Sequence, residues 1–197
     1  MSGLYFKYGT MNSSKSANLI MIRFNYLEQN FNTIAFRPCI DDRDGEVKAG
    51  DSGYITTRAS DNLKCPCIYI DDKTDIEALS AKADIIFVDE AQFLSENLVD
   101  RLYEISASKV VMCFGLLTDF RRELFTGSKR LIELADSIQE IKSVCNCGKR
   151  AVVNARFDKN GNIVTEGEQI EIGAEDKYRS ICRTCFRNMM RGFKYGS

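Results

Sequence analysis

Gly9-Thr10-Met11-Asn12-Ser13-Ser14-Lys15-Ser16 is the stretch that decides the fold. It follows Leu4-Tyr5-Phe6-Lys7-Tyr8, a run of strand length, and it precedes residues 15–29, where Leu19, Ile22, Arg23 and Tyr26 keep helical spacing. Strand, glycine-opened turn and helix in that order form a phosphate cradle. Backbone N–H groups at a helix N-terminus point at phosphate oxygens, and the helix dipole favours their charge. Against the pattern G-x-x-x-x-G-K-[ST], Gly9, Lys15 and Ser16 are in register. Lys15 reaches toward the outer phosphates, and Ser16 offers a hydroxyl to magnesium. Ser14 stands where the pattern has its second glycine. A left-handed backbone there costs a serine about 1–3 kcal/mol.

Working outward, Thr33-Ile34-Ala35-Phe36 reads as a strand stopped by Pro38, and Cys67-Ile68-Tyr69-Ile70 as a short one. Residues 41–60 are polar and Gly-rich and read as a loop. Helical stretches are expected over 74–83, over 95–108 with Ser95 as cap, and over 129–135. Ile85-Ile86-Phe87-Val88 and Val110-Val111-Met112-Cys113-Phe114 are continuous apolar strands, which fit a parallel sheet covered on both faces. The alternation predicts an α/β fold, a phosphate-loop parallel sheet with flanking helices, over residues 1–143. The strand 85–88 runs into Asp89-Glu90. Asp89 fits a carboxylate beside magnesium, and Glu90 a general base at the mouth of the site.

Past Val144 the texture changes to short strands and turns, with an Asn160-Gly161 hairpin signal. Residues 144–197 read as a second, small unit. Cys145-x-Cys147 and Cys182-x2-Cys185, separated by the 34 residues 148–181, have the grammar of a structural tetrathiolate zinc site. Zinc there ties a long, weakly apolar segment into a closed lasso. Cys39, Cys65, Cys67 and Cys113 read as free thiols or core residues. The chain has no histidine, so a catalytic base must come from a carboxylate, Lys, Tyr or Cys. With 44% hydrophobic and 28% charged residues and a net charge of -1, it carries no basic field for nucleic acid. No apolar run reaches membrane-spanning length, and the N-terminus does not read as a leader, so a cytoplasmic protein with no membrane partner is expected.

Six blocks in order resemble the small, zinc-containing thymidine kinases of the bacterial branch. They are Tyr8 to Ser16, Val88-Asp89-Glu90-Ala91-Gln92-Phe93, Gly115-Leu116-Leu117-Thr118-Asp119-Phe120-Arg121, Cys145-Asn146-Cys147-Gly148, Glu168-Gln169-Ile170-Glu171-Ile172-Gly173 and Tyr178-Arg179-Ser180-Ile181-Cys182-Arg183. The resemblance implies transfer of the γ-phosphoryl of ATP to the 5′-hydroxyl of deoxythymidine, with Glu90 taking the hydroxyl proton and Asp89 linked to magnesium. It implies Arg58 and Gln92 at the nucleotide, and Phe93, Leu116, Phe120 and Met11 around the nucleoside. Gln169, Ile170, Glu171, Ile172, Gly173 and Tyr178 would form the lasso over base and sugar. It also implies a homo-oligomer, usually a tetramer, serving nucleotide salvage for DNA synthesis. The chain departs from the family pattern at Ser14 for glycine, Ala17 for threonine and Leu117 for arginine. Two other readings use the same motifs: a zinc-ribbon ATPase acting on nucleic acid, and a non-catalytic interaction protein with a decayed phosphate loop.

Overall fold

The structure, a computed structural model, describes residues 2–39, 47–58, 60–169 and 177–192. In chain order its first part contains β1 (Gly3–Tyr8), α1 (Lys15–Glu28), β2 (Thr33–Pro38), β3 (Ser52–Thr57), β4 (Ser60–Ile70), α2 (Ile76–Ser80) and β5 (Ile85–Val88). A 3-10 turn over Ala91–Phe93 follows, then α3 (Glu96–Ser106), β6 (Val110–Gly115), α4 (Thr126–Leu134) and β7 (Ser137–Glu140). Seven strands form one sheet in the order β3-β4-β2-β5-β6-β1-β7. All pairings in it are parallel except β3 with β4.

The apolar strands behave as strands covered on both faces must. Leu4 and Phe6 of β1, Ile86 and Val88 of β5, and Val111 and Cys113 of β6 share a cluster with Leu98, Leu102 and Leu131 from α3 and α4. Their neighbours Ile85, Phe87, Val110 and Phe114 point the other way, against Leu19 and Ile20 of α1. Each fully buried side chain of this size contributes roughly 1.5–3 kcal/mol. Because β1, β5 and β6 are parallel neighbours, their carboxyl ends lie together on one edge, where open α/β sheets place their ligands. Ser95 caps α3 as expected, its hydroxyl accepting from the Leu98 N–H.

In this first part, three stretches differ from the sequence expectation. Within 41–60, residues 41–46 and 59 lie outside the described residues, but β3 pairs with an eleven-residue β4 to make a long antiparallel hairpin. Ile55 faces inward with Cys65 and Cys67, while Ser52 and Thr56 are exposed. α4 begins at Thr126, before Lys129, because Gly127 lets its backbone lie directly on the 3-10 turn: a Cβ there would sit 2.4 Å from the Ala91 carbonyl. β7, with the polar sequence Ser-Ile-Gln-Glu, takes the edge beside β1 and shows no apolar signature because it is mostly exposed.

The C-terminal part has its own small sheets. β8 (Ser143–Val144) pairs with β9 (Arg150–Ala151), and β10 (Val153–Phe157) lies between β11 (Ile163–Val164) and β12 (Tyr178–Ile181). The Asn-Gly turn does join β10 to β11. Gly161 has φ 83°, and the Asp158 carboxylate accepts from the Asn160 and Asn162 N–H groups. A helix that the sequence reading lacked, α5 (Arg183–Met190), closes the unit. Phe157, Ile181 and Phe186 pack with Cys145 and Cys182 in a separate core.

Candidate active site

The turn after β1 is held by its own chain. Gly9 donates to the Gly115 carbonyl at 3.2 Å, and Ser13 N–H to the Thr10 carbonyl at 3.2 Å. A Cβ on Gly9 would meet Ser13 Oγ at 2.3 Å and the Ile141 carbonyl at 2.6 Å, so close approach demands glycine here. Asn12 and Ser14 are left-handed, with φ 60° and 61°. Ser14 caps α1 with its backbone alone, and the first turn of α1 contains no acidic residue, so the helix N-terminus is open to an anion. Lys15 Nζ rests 3.0 Å from the Thr10 carbonyl, over the loop. Arg58, at the β3–β4 turn, donates to Asn12 Oδ1 at 3.0 Å, which brings the expected cation to this loop. Ser13 Oγ is buried against Gly9 without a hydrogen-bond partner among the described residues.

Two strands across, the end of β5 delivers the carboxylates. Asp89 is 2% exposed, and Ser16 Oγ donates to it at 3.1 Å from Oδ2. This pairing of a helix-start hydroxyl with a buried carboxylate offers the hard oxygen donors magnesium requires. Glu90 follows in a left-handed conformation, φ 52°, an outlier of the kind that clusters where a side chain must be aimed. Gln92 aims it. Its Nε2 donates to Glu90 Oε2 at 2.6 Å, while its Oε1 accepts from the Leu116 N–H at 2.9 Å. Gly115 makes room, since a Cβ there would stand 2.7 Å from Gln92 Oε1. Gln92 is 2% exposed, so what it contributes passes through Glu90 and the end of β6.

Two aromatic pairs involve the expected pocket residues. Phe93 packs edge-on against Phe125 at 5.8 Å, and Phe120 against Tyr178 of β12 at 6.4 Å, with the Arg156 guanidinium over the Phe120 ring at 5.1 Å. Burial pushes the Tyr178 hydroxyl up from its ordinary value, Arg156 opposing and Asp119 adding, so it stays a proton donor at neutral pH. Leu116 is half-buried and its carbonyl accepts from Ser128 Oγ. Buried Asp119 holds the following turn through the Glu123 N–H and Arg121, and it also accepts from Gln169 Nε2 at 3.2 Å. Gln169 therefore reaches the turn that carries Phe120; Ile170, Glu171, Ile172 and Gly173 lie outside the described residues.

Sequence reading missed the polar groups that join the C-terminal sheet to the loop. Asn154 Oδ1 accepts from the Met11 N–H at 2.8 Å, and its Nδ2 donates to the Thr118 carbonyl at 2.9 Å. Ser180 Oγ donates to the Met11 carbonyl, and the hydroxyls of Thr10 and Ser143 bond to each other. The available signal was an asparagine between Val153 and Ala155 in a strand: a buried amide needs partners.

The four C-terminal cysteines converge. Their Sγ atoms all lie within 4.8 Å of one another, close to the ~3.8 Å sulfur spacing of a zinc tetrathiolate built on ~2.3 Å bonds. Burial opposes ionisation of Cys182, but the Cys185 N–H and the neighbouring thiols outweigh it and bring the group down to about 7. All-thiolate donors in a closed cluster suit a structural zinc. Cys65, Cys67 and Cys113 are buried in the main core, and burial pushes the Cys113 thiol far up, as expected of inert core thiols.

The model of the family described as "Thymidine kinase" matches residues 2–186. A thymidine kinase of Agrobacterium fabrum (strain C58) is 42% identical over 191 residues, covering 93% of this chain and 95% of its own. One from Mannheimia succiniciproducens is 37% identical over 193 residues, covering 95% and 96%. One from Coxiella burnetii is 38% identical over 193 residues, again covering 95% and 96%.

Proposed function

The chain belongs to the thymidine kinase family, and we propose that it transfers the γ-phosphoryl group of ATP to the 5′-hydroxyl of deoxythymidine, giving dTMP for DNA synthesis. The observation that carries this reading is the end of β5, where Ser16 bonds Asp89 and the next residue, Glu90, is held by Gln92.

In this proposal residues 9–16 cradle the phosphates of ATP through backbone N–H groups, with Arg58 beside them. Ser16 and Asp89 would hold Mg2+, which when bound would supply positive charge against the phosphates. Lys15 leaves the Thr10 carbonyl for the outer phosphates and follows the charge as it moves to the leaving group. Glu90 accepts the proton of the 5′-hydroxyl, and Gln92 holds that carboxylate in one orientation by donating to it. Phe93, Leu116, Phe120 and Met11 enclose the nucleoside, and the segment from Gln169 through Gly173, with Tyr178, covers it. Placement and electrostatics do the catalysis, because the transferring group needs little covalent help.

Division of labour follows the chain: residues 1–143 bind ATP, and 144–197 form the lasso unit stapled by zinc on Cys145, Cys147, Cys182 and Cys185. The family resemblance further supports a homotetramer working in the cytoplasm, and among the described residues no helix is long and apolar enough to cross a membrane. The test is Glu90→Gln. Dropping the base should lower kcat by roughly 10²–10⁴ while ATP affinity stays close to that of the parent protein. Turnover near the parent value would remove Glu90 from the mechanism.

A further inference from the structure

Asn154 and Ser180 are register partners on β10 and β12. Together they grip a single residue of the phosphate loop: Asn154 takes the N–H of Met11, and Ser180 donates to its carbonyl. Asn154 is 4% exposed, and both ends of its amide are used, because Nδ2 donates to the Thr118 carbonyl at 2.9 Å. One buried amide therefore joins three segments: the phosphate loop, the β6–α4 connection that carries Leu116 and Phe120, and the C-terminal sheet.

The same two strands reach the nucleoside side and the cysteine cluster. Two residues before Ser180, Tyr178 stands edge-on to Phe120. Two residues after it comes Cys182 of the cluster. On the loop side, Met11 is followed by left-handed Asn12, which Arg58 contacts. Separating the rung from the loop would strand buried polar groups, so loop and sheet move as one body. Whatever steadies the sheet also steadies the amides that meet the phosphates, and the second ligand then has less ordering to do.

We infer that the Asn154–Ser180 rung couples the two substrate sites, so that thymidine and ATP each tighten the binding of the other. This rests on the kinase reading above. Both residues act as positioning residues through Met11, and by linkage the coupling is the same in either direction.

Calorimetry on the zinc-loaded full chain tests it, using thymidine alone, the magnesium complex of a non-hydrolysable ATP analogue alone, and thymidine titrated into protein saturated with the analogue. In the parent protein the analogue should tighten thymidine binding by about fivefold or more. In Ser180→Ala and in Asn154→Asp, which keeps the acceptor for Met11 and loses the donor to Thr118, that factor should fall to about two or below. Zinc content should stay close to the parent, and the analogue alone should bind no more than a fewfold more weakly, which a general loosening of the fold would not allow. Ser180→Ala, at a half-buried position, decides the matter by itself where Asn154→Asp does not fold. Equal coupling in parent and variants overturns the inference, as does a parent protein that binds both ligands without coupling. A parent that binds neither ligand overturns the kinase reading together with the inference.

Discussion

Replacing Ser14 by glycine separates strain stored in the folded loop from strain imposed by ATP. Ser14 has φ 61° and ψ 31°, and its side chain makes no capping hydrogen bond that could offset the cost. A non-glycine residue in this conformation loses about 1–2 kcal/mol. Glycine relieves that but gives the unfolded chain about 0.4–1 kcal/mol of extra entropy. The net gain is up to about 1.5 kcal/mol, or up to about 6 °C in Tm for a chain of this size. Sequence alone suggested the gain would appear in ATP affinity. The structure moves it to stability, because the chain's own bonds hold the turn: Ser13 N–H to Thr10, Lys15 Nζ to Thr10, and Asn18 N–H to the Ser14 carbonyl at 2.9 Å. The strain is then common to free and bound protein, and the ATP Kd should change by less than about threefold. Thermal unfolding and equilibrium ATP binding on both forms check this. A lower Tm, or ATP binding tightened tenfold or more, would refute the reasoning and show that the nucleotide, not the protein, sets the left-handed turn.

Gly9→Ala should lower kcat/KM for ATP by roughly ten- to a hundredfold, since the new methyl must displace Ser13 Oγ and the Ile141 carbonyl at an overpacking cost of about 1–3 kcal/mol; steady-state kinetics with ATP varied would show it, and unchanged kinetics would mean the loop relaxes freely. Cys182→Ser should release about one zinc per chain, measured by metal analysis, and weaken thymidine binding more than ATP binding, because it removes one of four thiolates beside β12. Absence of zinc from the parent protein purified without chelator would end the staple argument. Gly127→Ala should destabilise the fold by about 1–3 kcal/mol, read as a fall in Tm, because its Cβ meets the carbonyls of Ala91 and Leu94.

The phosphate loop, the acidic strand end and the cysteine pairs were legible because each is a local pattern whose spacing states its chemistry. The parallel sheet was legible because strands such as Ile85–Val88, buried at every position, leave no polar face to write. What escaped depends on contacts between distant segments. β3 looks like a loop until Ile55 is seen against Cys65, and β7 has no pattern because it is an exposed edge. Gln92 reads as one polar residue in a motif, and only the fold places its amide between Glu90 and Leu116. Asn154 has its partners 143 residues before it and 36 before it, beyond the reach of any window of sequence.

The central claim is tested most directly by incubating the purified chain with magnesium ATP and a panel of deoxyribo- and ribonucleosides and measuring nucleoside monophosphate and ADP together. The account predicts dTMP from thymidine, one ADP formed per dTMP, and little product from purine nucleosides. ADP formed without dTMP, or no product from thymidine at all, would contradict it.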